Sequence, residues 1–213
     1  MMLIGMFDSP FVRRVAVSMK LLKIPFEHAN WSVGRDQERI REFNPLGRVP
    51  TLVLDDGNII IESAAILDCL DDRAGPDRAL LPATGSARHE ALRLISLAVG
   101  AAEKGRDLIY ERVMRPPDKR YQPWVERCVT QLYGALRELD RHCEHLSADG
   151  WLIGDRMSQA DITLACVCTF LKESVCAEAP LDAYPKLRGF VTRCETLPEF
   201  RATYTPWGAP AVK

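Results

Sequence analysis

Apolar positions change their period near residue 75. Before that point short apolar runs alternate with amphipathic stretches; beyond it, helical steps of three and four dominate. Leu3 to Phe7 reads as a strand, and a helix from Pro10 to about Lys23 carries Val12, Val15, Ala16 and Met19 on one face. Pro25 to Trp31 reads as a second strand and Gln37 to Phe43 as a short helix. Thr51 to Leu54 and Ile59 to Ile61 read as strands joined at Asp56-Gly57, a hairpin signal. Glu62 to Arg73 then reads as a helix with Ala65, Ile66, Cys69 and Leu70 on one face. This β-α-β-α-β-β-α order predicts a mixed sheet with helices, compact enough to be one small domain over residues 1–75.

"GPDRALLPATG", residues 75–85, holds two glycines and two prolines and marks a linker, assigned to 76–85. Residues 86–213 read as an all-helical domain. Leu92, Ile95, Val99, Ala102, Ile109 and Val113 define one stripe, stopped at Arg115-Pro116-Pro117. Val125, Cys128, Leu132, Leu136, Leu139, Cys143 and Leu146 define a second. "SQAD", Ser158 to Asp161, is a capping box with Asp in place of Glu, and "ITLACVCTFL" behind it is apolar on every side, which predicts a buried central helix. Pro185 opens a fourth helix with Leu187, Phe190, Val191 and Cys194 inward, and the tail from Pro198, with Trp207, is expected to be irregular.

Bulk composition narrows the function classes. A hydrophobic fraction of 47% suits a globular protein with a sizeable core, and a net charge of −1 calls for neither nucleic acid nor an anionic membrane. The longest apolar run, Ile162 to Leu171, is far shorter than the roughly 18 residues of a membrane span. The seven cysteines are odd in number and fall mostly in helical patterns, and the chain opens on a strand rather than a leader. A reducing cytoplasm is therefore expected.

Asp8-Ser9-Pro10 sits where the first strand hands over to a helix. Proline suits the first helical position, and serine before it can cap the helix; the same end, with free donors and partial positive charge, also suits an anion. Glu62-Ser63 stands at a second helix start and admits the same two readings. Val49-Pro50, by spacing alone, is an ordinary trans proline opening an edge strand, and Arg48 before it a solvated arginine. "HCEH", His142 to His145, lies near a helix C-terminus, which favours histidine; no second cluster supplies zinc-spaced ligands, so no metal is expected.

"SPFVRRV" (9–15), "FNPLGRVPTLV" (43–53), "IESAAI" (61–66) and "SQADI" (158–162), in this order, resemble the cytosolic glutathione S-transferases over essentially the whole chain, and the first piece resembles a serine-type bacterial branch. The resemblance implies a thioredoxin-like N-terminal domain, an all-α C-terminal bundle, a homodimer and a detoxifying transferase with glutathione as co-substrate. It implies a cis Val49-Pro50 bond whose turn exposes the Val49 N–H and C=O to the glutathione backbone. Ser9 is then the thiolate-stabilising residue, Arg48 the partner of the glycine carboxylate, Ser63 the seat of the γ-glutamyl carboxylate and Glu62 the partner of its ammonium. Trp31 and Arg35 are further candidates near the glycine end; Phe11 and Trp207 are candidates for the pocket of an apolar electrophile. Glu103 or Asp107 is a candidate to reach the partner subunit's glutathione. No cysteine precedes Cys69, which argues against cysteine-based thiol transfer, and "DSPF" lacks the Ser-Ser-Cys start of the maleylacetoacetate isomerases of this family. A non-catalytic binding protein on the same fold, or a glutathione-dependent peroxidase or dehalogenase, stands as the alternative.

Overall fold

The structure, a computed structural model, describes residues 1–208. Strand β1 (Met2–Ile4), helix α1 (Pro10–Leu21), β2 (Glu27–Ala29), α2 (Gln37–Arg41), β3 (Thr51–Val53), β4 (Ile59–Ile61) and α3 (Ser63–Ala74) form the N-terminal unit. Its sheet has the order β2-β1-β3-β4, with β1 parallel to β2 and antiparallel to β3, and β3 antiparallel to β4. This is the thioredoxin-like arrangement. Helices α4 (Gly85–Val113), α5 (Gln122–Cys143), α6 (Gln159–Ser174), α7 (Pro185–Glu195) and α8 (Pro198–Arg201) follow.

Two apolar clusters correspond to these halves. One gathers Leu3, Leu52, Val12, Val15, Met19, Ile66 and Leu70 between the sheet, α1 and α3. The other lies among α4 to α7 and takes in Val17 from the opposite face of α1. Helix α1 is thus sandwiched, which explains why Arg13, Arg14 and Ser18 are buried on it. Helix α6 is the centre of the second cluster: every residue from Ser158 to Cys168 is buried, the part from Ile162 onward as its apolar run predicts and the polar start at Ser158 to Asp161 in addition.

Several expected boundaries shift. Strand β1 ends at Ile4 rather than Phe7, because Gly5 turns the chain at φ +133°. Any side chain at Gly5 would collide with Val12 and Val49: an added Cβ would lie 2.5 Å from Val12 Cγ2 and 2.9 Å from Val49 Cβ. Strand β2 shrinks to Glu27–Ala29 and α2 ends at Arg41. Helix α3 starts at Ser63, with Glu62 just outside it. The tail is less irregular than expected, since α8 forms within it; its last residues, 209–213, lie outside the described residues.

The stripe on α4 is the largest correction. Its buried side is Ala91, Leu94, Ala98, Ala101, Ala102, Gly105, Leu108 and Ile109, whereas Leu92 is 40% exposed and Ile95 and Val99 are only half-buried. Small residues win that face because α6 crosses close by: a Cβ on Gly105 would lie 2.5 Å from Leu171 Cδ2. The α5 stripe from Cys128 to Cys143 and the inward face of α7 are buried as read.

The segment between α3 and α4 is pinned from both sides. Asp71 accepts from the Leu80 and Leu81 N–H groups at 2.8 and 3.0 Å, and Leu80 C=O accepts from Gln159 N–H at 2.9 Å. Arg156 donates to the Asp77 and Ala79 carbonyls.

Candidate functional site

Three turns meet beside β1. The first is the β1–α1 loop. Ser9 has extended backbone (φ −75°, ψ 122°) and its C=O accepts the first helical bond, from Arg13 N–H at 2.9 Å. Its side chain makes no capping hydrogen bond, so the capping reading is corrected: Pro10 has no N–H to cap, and the Phe11 and Val12 N–H groups are left without a side-chain acceptor. The same loop holds Asp8. Its Oδ2 accepts from Gly208 N–H at 3.4 Å, while Oδ1 is buried with no partner among the described residues. Burial, with a smaller contribution from the Glu173 charge, pushes the Asp8 carboxyl above its ordinary value, against hydrogen bonds from Gly208 and Ser9 N–H groups.

The second turn precedes β3. Val49-Pro50 is cis, as the family resemblance implies and as spacing alone does not. Asn44 organises this turn: its Nδ2 donates to Arg48 C=O at 2.8 Å and to Thr51 Oγ1 at 3.2 Å, and its Oδ1 accepts from Leu46 N–H at 3.1 Å. Asn44 is 2% exposed, and nothing local in the sequence marks it as the organiser of this turn. Gly5 packs directly on Val49, which ties this turn to the Ser9 loop.

The third turn is the start of α3. Glu62 has φ +70° and ψ 128°, in the left-handed half of the backbone map that a branched or long side chain seldom enters. Backbone strain of this kind costs about 1–3 kcal/mol and gathers at functional sites. The Glu62 carboxylate pairs with Arg48 at 3.4 Å, so the two turns carry opposite charges toward each other, both more than half exposed. Ser63 is buried; its Oγ accepts from Arg14 Nη2 at 2.7 Å.

Other candidates lie around this centre. Trp31 packs against Phe43, with ring centroids 5.7 Å apart, beneath the Arg39 guanidinium at 3.9 Å. Arg35 pairs with Asp36 at 2.9 Å and donates to Asn30 C=O. Among the described residues no hydrogen bond or ion pair links Trp31 or Arg35 to Ser9, Arg48, Glu62 or Ser63. Phe11 and Trp207 both lean on the helical cluster. The Trp207 N–H and the Tyr204 hydroxyl donate to the two oxygens of Glu173, at 2.8 and 2.7 Å, which draws the tail across α6 toward Asp8. Asp107 is held by Lys104 at 2.7 Å and Arg106 at 3.2 Å on its own helix.

Two arginines that sequence reading left unassigned are structural hinges of this region. Arg13 makes a two-point pair with Glu195, at 2.8 and 2.6 Å, and donates to the Phe200 and Thr203 carbonyls, which fastens α8 to α1. Arg14 faces the other way, to Ser63 and, through Nη1 at 3.3 Å, to Thr163 of α6. His142 is engaged by its own fold: its Nε2 lies 3.2 Å from Leu152 C=O and its Nδ1 3.5 Å from Glu90.

Known proteins give the following matches. The family model described as glutathione S-transferase, N-terminal domain, matches residues 3–78, and that described as glutathione S-transferase, C-terminal domain, matches residues 110–198. The chain is 30% identical over 158 residues to glutathione S-transferase GstA of Escherichia coli O157:H7, covering 73% of this chain and 72% of that protein. It is 26% identical over 202 residues to maleylacetoacetate isomerase of Pseudomonas aeruginosa, covering 90% and 89%. Among solved structures, a glutathione S-transferase of Methylobacterium radiotolerans in complex with glutathione sulfonate superimposes with a TM-score of 0.91 at 27% identity, covering 100% of this chain and 97% of that one.

Proposed function

The chain belongs to the glutathione S-transferase family, and from that premise we propose that it conjugates glutathione to an electrophilic, largely apolar small molecule. The observation that carries this reading is Ser9: a serine at a helix start whose hydroxyl neither caps the helix nor has an acceptor for its hydrogen among the described residues. Such a hydroxyl is available to donate to an anion at the positive end of α1. A free cysteine thiol has a pKa near 8.5, so little of it is thiolate at neutral pH. One charge-assisted hydrogen bond, worth roughly 1.5–3 kcal/mol, lowers that value by about one to two units. The thiol proton passes to solvent, the sulfur attacks an electrophilic carbon, and a C–S bond forms as the leaving group departs. Serine donates throughout and never ionises.

The remaining contacts distribute glutathione's other charges. Ser63 and the α3 N-terminus take the γ-glutamyl carboxylate, Glu62 its ammonium, Arg48 the glycine carboxylate, and the Val49 backbone pairs with the cysteine residue as an added strand would. Arg48 and Glu62 exchange their mutual ion pair for the ligand's charges; being exposed, that pair is worth little and yields easily. Trp31 and Arg35 border the glycine end, and Phe11 and Trp207 line the side toward the electrophile. The thioredoxin-like unit is assigned to 1–75, the linker to 76–85 and the helical unit to 86–213, within the serine-type bacterial branch.

A homodimer is part of the proposal. The partly exposed row of Leu92, Ile95 and Val99 on α4 offers an apolar strip for a two-fold contact. Glu103 is then better suited than Asp107 to reach the partner's glutathione, because Asp107 is already held by two cations. Seven free cysteines fit a reducing cytoplasm, and among the described residues no helix is long and apolar enough to cross a membrane.

A second reading rests on the isomerase match, which spans 90% of this chain. The two are separated by one assay series: calorimetry with glutathione, then a panel of electrophiles and maleylacetoacetate. One glutathione site per chain with conjugation of at least one electrophile is expected. Isomerisation without conjugation would replace the transferase reading, and binding with neither activity would make the chain a glutathione-binding protein.

A further inference from the structure

Behind the start of α3 lies a buried cation that touches no anion among the described residues. Arg14 is 2% exposed, yet among the described residues its guanidinium contacts only two neutral hydroxyls, Ser63 Oγ at 2.7 Å and Thr163 Oγ1 at 3.3 Å. Its Nε is buried and has no partner among the described residues. Arg13, one residue earlier, has Glu195 as a two-point partner and shows what a satisfied buried arginine looks like on the same helix.

Burial pulls the Arg14 guanidinium down to about 10, which still leaves it charged at neutral pH. The nearby Cys166 thiol supplies no anion there, because burial pushes it up to about 12. The Glu62 carboxylate acts on Arg14 only through space, its side chain being 55% exposed and turned to Arg48. A buried charge without a counter-ion is costly, and folds retain one where something else supplies the opposite charge.

The hydrogen bonding has a direction. A guanidinium only donates, so it occupies a lone pair of Ser63 Oγ and leaves the Ser63 O–H to donate elsewhere. Ser63 also contributes its N–H at the first position of a twelve-residue helix. Donor hydroxyl, helix end and buried cation therefore converge on one spot from α1, α3 and α6.

Building on the transferase reading above, we infer that Arg14 is the positioning residue of an anion seat at the start of α3: it fixes Ser63 as a donor and supplies the positive charge that the γ-glutamyl α-carboxylate of glutathione neutralises on binding. Because Arg14 also holds Thr163, the seat is braced by the helical half of the molecule, and loss of either hydroxyl loosens it.

The test compares glutathione with 4-aminobutanoyl-cysteinyl-glycine, which keeps the amine, thiol and glycine carboxylate and lacks only the α-carboxylate. Dissociation constants are measured by calorimetry on the full chain for wild type, Arg14→Gln and Arg14→Lys. Arg14→Gln should weaken glutathione about tenfold and the decarboxylated analogue less than twofold. Arg14→Lys keeps the charge on a shorter, single-headed group and should lose about threefold for glutathione alone; it carries the test by itself if Arg14→Gln does not fold. Equal weakening of both ligands, or no weakening of glutathione, overturns the role given to Arg14. A wild type that binds no glutathione at all overturns the transferase reading, and the seat with it.

Discussion

At the start of α6, Ser158 Oγ accepts from Ala160 N–H at 3.2 Å, and the Asp161 carboxylate accepts from Ser158 N–H at 2.7 Å, from Ser158 Oγ at 2.6 Å and from Leu152 N–H at 2.8 Å. At the start of α1, Ser9 stands in comparable extended backbone and makes none of these bonds. The α6 start is buried on all sides, where every unmet donor would cost stability. The α1 start borders Asp8, Phe11 and the incoming tail, and its donors stay available. Ser63 on α3 is intermediate: its oxygen is taken by Arg14, its hydrogen is not. Helix starts with the same residue type are thus closed where they serve the fold and left open where a ligand is expected.

The comparison is broken most directly at α6. Asp161→Ala removes the acceptor for three donors inside the core, and losing a cap and stranding buried N–H groups should cost about 3 kcal/mol. Thermal unfolding should show a drop of roughly 10 °C for a chain of this size. Glutathione affinity per folded molecule should stay within twofold. A selective loss of binding at unchanged stability would mean that Asp161 belongs to the site instead.

Glu62→Gly comes next. Glycine accepts φ +70° without strain, so the variant should be about 1 kcal/mol more stable after the entropy of an added glycine is counted. Glutathione should bind about tenfold more weakly, since its ammonium loses a partner. A variant that is both weaker and less stable would show that Glu62 is held for the fold.

Ser158→Ala and Ser9→Ala form a matched pair. The first should cost about 1–2 kcal/mol and the second less than about 0.5 kcal/mol, by chemical denaturation. Equal losses would erase the distinction between the two helix starts.

The smallest effect is a pH dependence at Asp8. Burial raises its carboxyl, so the folded state prefers the protonated form. The stability it contributes is present in acid and is lost as pH rises through its raised value. Asp8→Asn should therefore match wild type at low pH and become the more stable of the two toward neutrality, by melting temperature. A gap that widens in acid would give the opposite sign and would mean that the ionised form is the favoured one.

Period and local motif explain what could be read from the residues. The α5 stripe, the all-apolar α6 and the Ser158–Asp161 box depend on neighbours within a few turns, and each folds as its pattern predicts. Ser9, Arg48, Glu62 and Ser63 could be proposed for the site from sequence because each sits in a short run at the end of an element. Hydrophobic size is a poor guide to burial on the α4 face, because close crossing by α6 selects alanine and glycine there. Arg13 and Arg14 are hidden in the sequence for a different reason. Their partners, Glu195, Ser63 and Thr163, are 49 to 182 residues away in sequence, and nothing local marks a basic pair on a helix as buried.

The central claim is that Ser9 stands at the α1 start for sulfur rather than for the helix. The direct measurement is the ultraviolet absorbance of the bound glutathione thiolate, titrated against pH in wild type and Ser9→Ala with the ligand saturating. The pKa of the bound thiol should rise by about one to two units in Ser9→Ala, with conjugation falling in step and affinity nearly unchanged. Coincident titrations and equal turnover would contradict the claim and pass the role to the backbone N–H groups of Phe11 and Val12.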